Sequence, residues 1–423
     1  MRRSVELTDT TDTDDRTGRA EELRTALVDR LVADGMIISP AVEAAFRTVP
    51  RHAFVPAGTP LEDVYHVDRS VVTKTDEHGA HLSSVSATYI QARMIEQAEV
   101  GPGMRVLEVG SGGYNAALLA EVVGTGGAVV SVDIDEDITD RATALLAATG
   151  YAGRVRVLQA DAAHGVPGEG VVDRIIVTVG AWDIPPALLS HLAPDGVIVI
   201  PLRMNGVTRT IAFRRDGDHL ASTSTEVAGF VPMQGDSARP ERIFQLPDRD
   251  GHVVSLRFDA GTPEDVHLLT GVLGTERTEV WSGVTVAGSE SFADLYLWFA
   301  GFLPGFCLLK ADEGTELAAE RGWFPFGVVR GDSFAYFAFR RTGDDARSEL
   351  GARAYGPHGK DAAAAMAEQI QAWDQHARRG PAPTFAYWPA GTSPGVGSGG
   401  MSANVAVLDK THGLLTISWP AAS

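Results

Sequence analysis

The chain has one cysteine, Cys307, so no internal disulfide is available, and its setting in Gly-Phe-Cys-Leu-Leu reads as a buried, inert thiol. No window approaches the ~18 apolar residues that span a bilayer, and Arg2 and Arg3 lead into Thr and Asp instead of a signal-peptide core. Membrane insertion is therefore not expected, and a cytoplasmic location is. Positive charge is scarce as well. With 36 Lys and Arg against 55 Asp and Glu, the formal net charge is -19, which offers a phosphate backbone no broad attractive field and argues against a nucleic-acid partner. His52, His66, His78 and His81 lack zinc-type spacing and read as surface or structural histidines, with no metal expected.

What is present is ordinary globular material: 423 residues, 44% hydrophobic and 22% charged, enough for two cores. Residues 1–19, rich in Thr and Asp, read as a solvated tail. Residues 20–98 open with Leu23, Leu27, Leu31 and Val32 at helical spacing and Pro40 starting a second helix. Between 99 and 238, β-rich runs (Arg105–Val109, Ala128–Val132, 154–159, 174–179, 197–201) alternate with helical stretches, which predicts an α/β fold with a parallel sheet covered on both faces. After Ser-Ala-Arg-Pro-Glu the composition shifts; residues 239–423 hold Trp281, Trp298, Trp323, Trp373 and Trp388 and read as an α+β domain, with a Gly/Ser/Pro loop at 389–400.

The most specific segment is Val106-Leu-Glu-Val-Gly-Ser-Gly-Gly-Tyr114, a strand ending in a glycine turn before an apolar helix. A dinucleotide fingerprint would need glycine at position 115, where Asn115 stands, and has no use for Glu108 inside the strand. An acid two places before the first glycine suits a cofactor with a cationic amino acid portion, and S-adenosylmethionine fits. Asp133 ends the second strand about 20 residues past the turn, where a carboxylate receives ribose hydroxyls, and Asp161 ends the third, within reach of an adenine amine. Helix capping is the plain alternative for each acid taken singly. In order on three successive strands they point to a Rossmann-like S-adenosylmethionine site comprising Glu108, Gly110, Ser111, Gly112, Gly113, Tyr114, Asp133, Asp161 and Ala162.

Arg51-His-Ala-Phe-Val-Pro56, Tyr65-His-Val-Asp68, the glycine turn and Asp173-Arg-Ile-Ile-Val-Thr-Val-Gly-Ala-Trp-Asp-Ile-Pro-Pro186 together resemble the protein-L-isoaspartate O-methyltransferases over roughly residues 20–235. The resemblance implies a methyl donor converted to S-adenosylhomocysteine and a carboxylate acceptor on a peptide. The sequence departs from the family where Gln-Thr-Ile-Ser-x-Pro-His is usual: Ser83-Ser-Val-Ser-Ala-Thr-Tyr89 lacks the Gln, Pro and His, and the glycine turn is one residue shorter. With the added residues 239–423, these departures resemble a branch that acts on lanthipeptides and other ribosomally made, modified precursor peptides, esterifying an aspartate that closes to aspartimide and opens to isoaspartate. Repair of damaged isoaspartyl proteins is the alternative.

By the same resemblance Ser84 and Ser86 become the catalytic candidates, and Asp68, Ser83, Val85 and Tyr89 the substrate-binding ones. Plain readings stand beside these: the serines as caps of a helix beginning near Ala87, and Asp68 as a turn residue. Trp298, Phe299, Trp323 and Phe324 read either as core or as a peptide groove.

Overall fold

The computed structural model describes residues 8–259, 266–319, 322–343, 347–394 and 404–420. Its contacts divide into two units, Met1–Leu202 with Arg209–Ala238, and Arg203–Thr208 with Arg239–Ser423.

The first unit opens with helices α1 (Thr8–Ala33), α2 (Pro40–Thr48) and α3 (Leu61–Val64). The reading of residues 1–19 as a tail is corrected over 8–19, which are helical; residues 1–7 lie outside the described part. Leu27, Val28 and Leu31 bury one face of α1, and a docked turn lets upstream residues join at one hydrogen bond each without a new nucleus. The side chains of residues 16–19 remain exposed. A hairpin of β1 (Val71–Thr75) and β2 (His81–Val85) leads to α4 (Thr88–Gln97).

The sheet follows: β3 (Arg105–Val109), α5 (Tyr114–Val123), β4 (Ala128–Asp133), α6 (Glu136–Ala148), β5 (Val155–Gln159), β6 (Val172–Val177), α7 (Pro186–Leu189), β7 (Leu192–Met204), β8 (Val207–Asp216) and β9 (His219–Val227). Its spatial order is β9-β8-β7-β6-β3-β4-β5. The pairings β6–β3, β3–β4, β4–β5 and β6–β7 are parallel, whereas β8–β9 is antiparallel. Val106, Leu107, Ile175, Ile176 and Val197–Ile200 are buried on both faces, which is why these strands read as apolar runs without alternation. The order reverses between β3 and β6, so their carboxyl ends open the crevice where doubly wound sheets take ligands.

In the second unit, β10 (Arg242–Pro247), β11 (Val253–Phe258), β12 (Thr278–Ala287), β13 (Phe306–Ala311), β14 (Trp323–Arg330), β15 (Ser333–Arg341) and β16 (Arg347–Tyr355) form an antiparallel sheet ordered β10-β11-β13-β14-β15-β16-β12. Helices α8 (Ala293–Phe302), α9 (Glu316–Ala319) and α10 (Gly359–His376) accompany it, with strands Thr384–Pro389, Val405–Lys410 and Gly413–Ser418. Trp298 and Phe299 are core, whereas Trp323 and Phe324 are half-buried. Cys307 is buried, which raises its thiol pKa well above the ordinary range. The loop expected at 389–400 lies outside the described residues from 395 onward.

Arg203 donates to Asp259, whose side chain is 1% exposed, and to Glu241 at 3.3 Å, while Gly206 N donates to Asp259 at 2.6 Å. Asp259→Ala leaves Arg203 to Glu241 and Arg239 O and takes the acceptor from Gly206 N, and should cost about 2–3 kcal/mol in chemical denaturation of this unit. A loss below about 1 kcal/mol would show that water reaches Arg203.

Candidate active site

Two recesses meet in the crevice of the first unit. One, of about 450 Å³, is lined by Leu82, Val109, Gly110, Asp133, Ile134, Ala160, Asp161, Ala162, Val179, Pro232, Met233 and Gln234. The other, about 1210 Å³ and wider, is lined by Asp68, Ser70, Ala80, His81, Ser84, Ser86, Ala87, Tyr89, Ile90, Thr178, Gly229, Phe230, Val231 and Pro232. They share Pro232, and Thr178 in one neighbours Val179 in the other.

The first recess is built on strand ends. Gly110 has φ +101°, and a Cβ there would lie 2.4 Å from Thr178 Oγ1, so only glycine lets the turn come this close. Asp133 Oδ2 accepts from Ser111 N at 3.0 Å and Oδ1 from Asp135 N at 3.1 Å, which aims the carboxylate while leaving lone pairs for a ligand. Burial raises the pKa of Asp133 despite those bonds. Asp161 caps a short 3-10 turn through Ala163 N at 2.9 Å and accepts Asp236 N, also at 2.9 Å. The segment carrying Asp236 forms a wall of both recesses, held by Gly180 N to Val231 O at 2.8 Å, Met233 N to Gly180 O at 3.0 Å and the His164–Asp236 pair at 2.8 Å.

Gly110, Asp133, Asp161 and Ala162 thus gather in one recess. Glu108, expected to meet a cationic cofactor group, instead lies fully buried beneath the turn, bonded by Asn115 Nδ2 at 2.8 Å and by Ser131 Oγ, itself 2.9 Å from Ser111 Oγ. Burial pushes its carboxyl up to about 7. Ser111 contributes its backbone N–H to Asp133, and Gly112 sits 4.0 Å, measured from an added Cβ, from Ser84 O. Gly113 and Tyr114 turn inward, against Phe54 and beneath the Arg51 guanidinium.

In the wider recess Asp68, Ser84, Ser86 and Tyr89 come together. Among the described residues their side-chain oxygens have no hydrogen-bond partner, and α4 begins after Ala87 without any side-chain cap, so the serines do not serve as caps. Ser83 turns away to Thr73 Oγ1 at 2.9 Å, and Val85 is core. Period-two alternation along β2 separates the two sets. The hairpin is anchored over the sheet by Lys74 Nζ on Asp135 (2.6 Å) and Asp137 (2.7 Å), and by Arg141 on Thr73 O at 3.0 Å. Fully buried Arg51 donates to Ser86 O, Val64 O and Gln91 Oε1, each at 2.8 Å. Sequence reasoning missed Phe230 and Pro232–Gln234, because a wall formed by a returning segment carries no local signal, and it took Thr178 only as part of the run 174–179.

The family model for Protein-L-isoaspartate(D-aspartate) O-methyltransferase (PCMT) matches residues 22–238, which include both recesses. The chain belongs to the protein-L-isoaspartate O-methyltransferase family. A Hyperthermus butylicus protein-L-isoaspartate O-methyltransferase is 37% identical over 225 residues, covering 51% of this chain and 90% of that protein. The Methanopyrus kandleri enzyme is 41% identical over 180 residues, covering 42% and 76%. A solved protein-L-isoaspartate O-methyltransferase superposes with TM-score 0.49 at 21% identity over 86% of this chain and 96% of its own. Another, from Plasmodium falciparum in complex with S-adenosyl-L-homocysteine, gives TM-score 0.43 at 17% identity over 49% and 97%.

The chain is therefore an S-adenosylmethionine-dependent O-methyltransferase of this family. The first recess fits the cofactor: it lies at the carboxyl ends of the strands beside the glycine turn, and Asp133 presents an oriented carboxylate at the end of β4.

Asp133→Ala should lower S-adenosylmethionine affinity about tenfold or more by calorimetry, since charge-assisted hydrogen bonds contribute ~1.5–3 kcal/mol. Unchanged affinity in a folded variant removes the ribose assignment. For Glu108, the native state keeps a proton that the unfolded chain loses near its ordinary pKa of 4.5, so this group's contribution to stability falls as pH rises from there to about 7. The melting temperature of Glu108→Gln relative to wild type should accordingly rise between pH 5 and pH 8; a constant difference would mean the carboxyl is already ionised at pH 5.

Proposed function

We propose that the enzyme methylates the free carboxylate of an isoaspartyl residue in a protein or peptide, the activity named for its relatives of 37% and 41% identity. The carrying observation is the wider recess at the cofactor site, lined by the unbonded hydroxyls of Ser84, Ser86 and Tyr89 and by Asp68. A carboxylate of ordinary pKa near 4 is already ionised at neutral pH, so no general base is needed. Placement and exclusion of water remain, and those are tasks for hydroxyl donors and a walled recess.

The bound cofactor supplies an electrophilic methyl carbon. Ser84 and Ser86 would donate to the acceptor carboxylate and hold one of its oxygens toward that carbon. Asp68 suits an N–H of the peptide chain, not the acceptor carboxylate, which it would repel. Once the ester exists, the following backbone amide attacks its carbonyl carbon, methanol leaves with the amide proton, and the cyclic imide opens with water to aspartate or isoaspartate.

A second reading is favoured by the Ser83–Tyr89 segment, which lacks the family's Gln, Pro and His, and by the second unit beyond Arg239. On that reading the acceptor is an ordinary aspartate of a ribosomally made, lanthipeptide-like precursor, recognised in part by residues 239–423. Either acceptor agrees with a cytoplasmic setting; among the described residues no helix is long and apolar enough to cross a membrane.

Paired peptides differing only in isoaspartate or aspartate decide between the readings. With the isoaspartyl peptide, kcat/KM should exceed that of its partner at least about a hundredfold, a difference of ~2.7 kcal/mol in transition-state binding. Methylation of the aspartyl peptide alone would establish the second reading. Ser84→Ala and Ser86→Ala should each slow single-turnover transfer by about tenfold or more with cofactor affinity kept. Wild-type rates in both would remove the serines from the acceptor site.

A further inference from the structure

Thr178 follows β6 at the point where strand order reverses, and it touches both halves of the site. Thr178 lines the wider recess, and its hydroxyl donates to main-chain carbonyls, Gly110 O at 2.9 Å and Val109 O at 3.1 Å. Both of those residues line the narrower recess. A hydroxyl has one proton, and here it is committed. Nothing among the described residues donates to Thr178 Oγ1, so toward the site it can offer only lone pairs.

The other hydroxyls of the wider recess differ. Those of Ser84, Ser86 and Tyr89 have no partner among the described residues and are free to donate. The recess is thus polarised by chemistry: donors come from β2 and α4, and an acceptor-only oxygen comes from the end of β6. An anionic acceptor is drawn to the donors and repelled by the lone pairs. A methyl group on a sulfonium, whose hydrogens carry positive charge, is attracted to the oxygen through C–H···O contacts. Methyl transfer has to cross the border between the two recesses, and Thr178 lies at it along the chain, lining the wider recess while its neighbour Val179 lines the narrower one.

We propose that Thr178 is a positioning residue for the transferred methyl group, its proton tied to the glycine turn so that its oxygen lone pairs hold the donor methyl at the mouth of the acceptor recess. This rests on the narrower recess being the cofactor site. It predicts discrimination between S-adenosylmethionine, which carries the methyl, and S-adenosylhomocysteine, which does not, in the absence of any acceptor.

The test compares Thr178→Val, nearly isosteric without the oxygen, with Thr178→Ser, which keeps it, in the full chain. Calorimetry measures both cofactor forms, and single-turnover transfer uses the isoaspartyl peptide. For the valine variant, S-adenosylmethionine affinity should fall about three- to fivefold while S-adenosylhomocysteine affinity stays within about twofold. Transfer should slow about tenfold through lost positioning. The serine variant should restore both values. Thr178→Ala provides the same comparison if valine disturbs the turn.

Equal losses for the two cofactor forms would overturn the proposal, because Thr178 would then only brace Gly110. Unchanged binding and transfer in the valine variant would overturn it as well. If wild type methylates no isoaspartyl peptide, the acceptor assignment falls, and the ratio of the two affinities still decides the role of Thr178.

Discussion

The approach of the Gly110 backbone to Thr178 is the constraint on which the rest of the site depends. A side chain at position 110 would strike Thr178 Oγ1, and the positive φ there sends the chain into the turn that precedes α5. Because β3 and β6 are neighbours on either side of the order reversal, this contact places the turn, the oriented Asp133 and the returning wall at Pro232 around one crevice. Glu108 lies beneath the turn as internal support, held by Asn115 and Ser131 where water cannot reach. A buried carboxyl with this few donors stays partly protonated, and the acid that most marks the motif lies beneath the turn.

Arg51 organises the wider recess in a comparable way. Among the described residues its buried guanidinium has no carboxylate partner and spends its donors on Val64 O, Gln91 Oε1, Ser86 O and, at 3.4 Å, Val85 O, while sitting 5.1 Å above the Tyr114 ring. The end of β2, the start of α4 and the first residue of α5 are therefore held by one cation. Lys74 and Arg141 fix the other end of the hairpin to α6. These bonds keep the Ser84 and Ser86 backbone in register with the strand ends, as a reaction governed by placement requires.

Much of the architecture was legible because periodicity and turn chemistry are local. The apolar runs from Arg105 to Ile200 gave a parallel sheet, the glycines and Glu108 excluded a dinucleotide site, and Asp133 and Asp161 were recognisable as strand-end acids. The helix over residues 8–19 was not legible, since composition reports the solvation of side chains, and a helix propagated from a docked turn can keep solvated side chains. The wall at 228–238 was equally hidden, because its residues come beside Gly180 only after β8 and β9 have turned back.

The sequence by itself determined the fold class and the cofactor type, because each rests on residue types at short spacing. Only the tertiary structure decided which of those residues face the ligand. It buried Glu108, Tyr114 and Val85, turned Ser83 away to Thr73, left Asp68, Ser84, Ser86 and Tyr89 at the wider recess, and brought Thr178 to that recess and Pro232 to both. The reason is physical: a motif fixes what a residue can do, whereas its direction depends on register within the sheet and on which buried donors are near. Register and burial are properties of pairs of segments distant in the chain, and no single stretch encodes them.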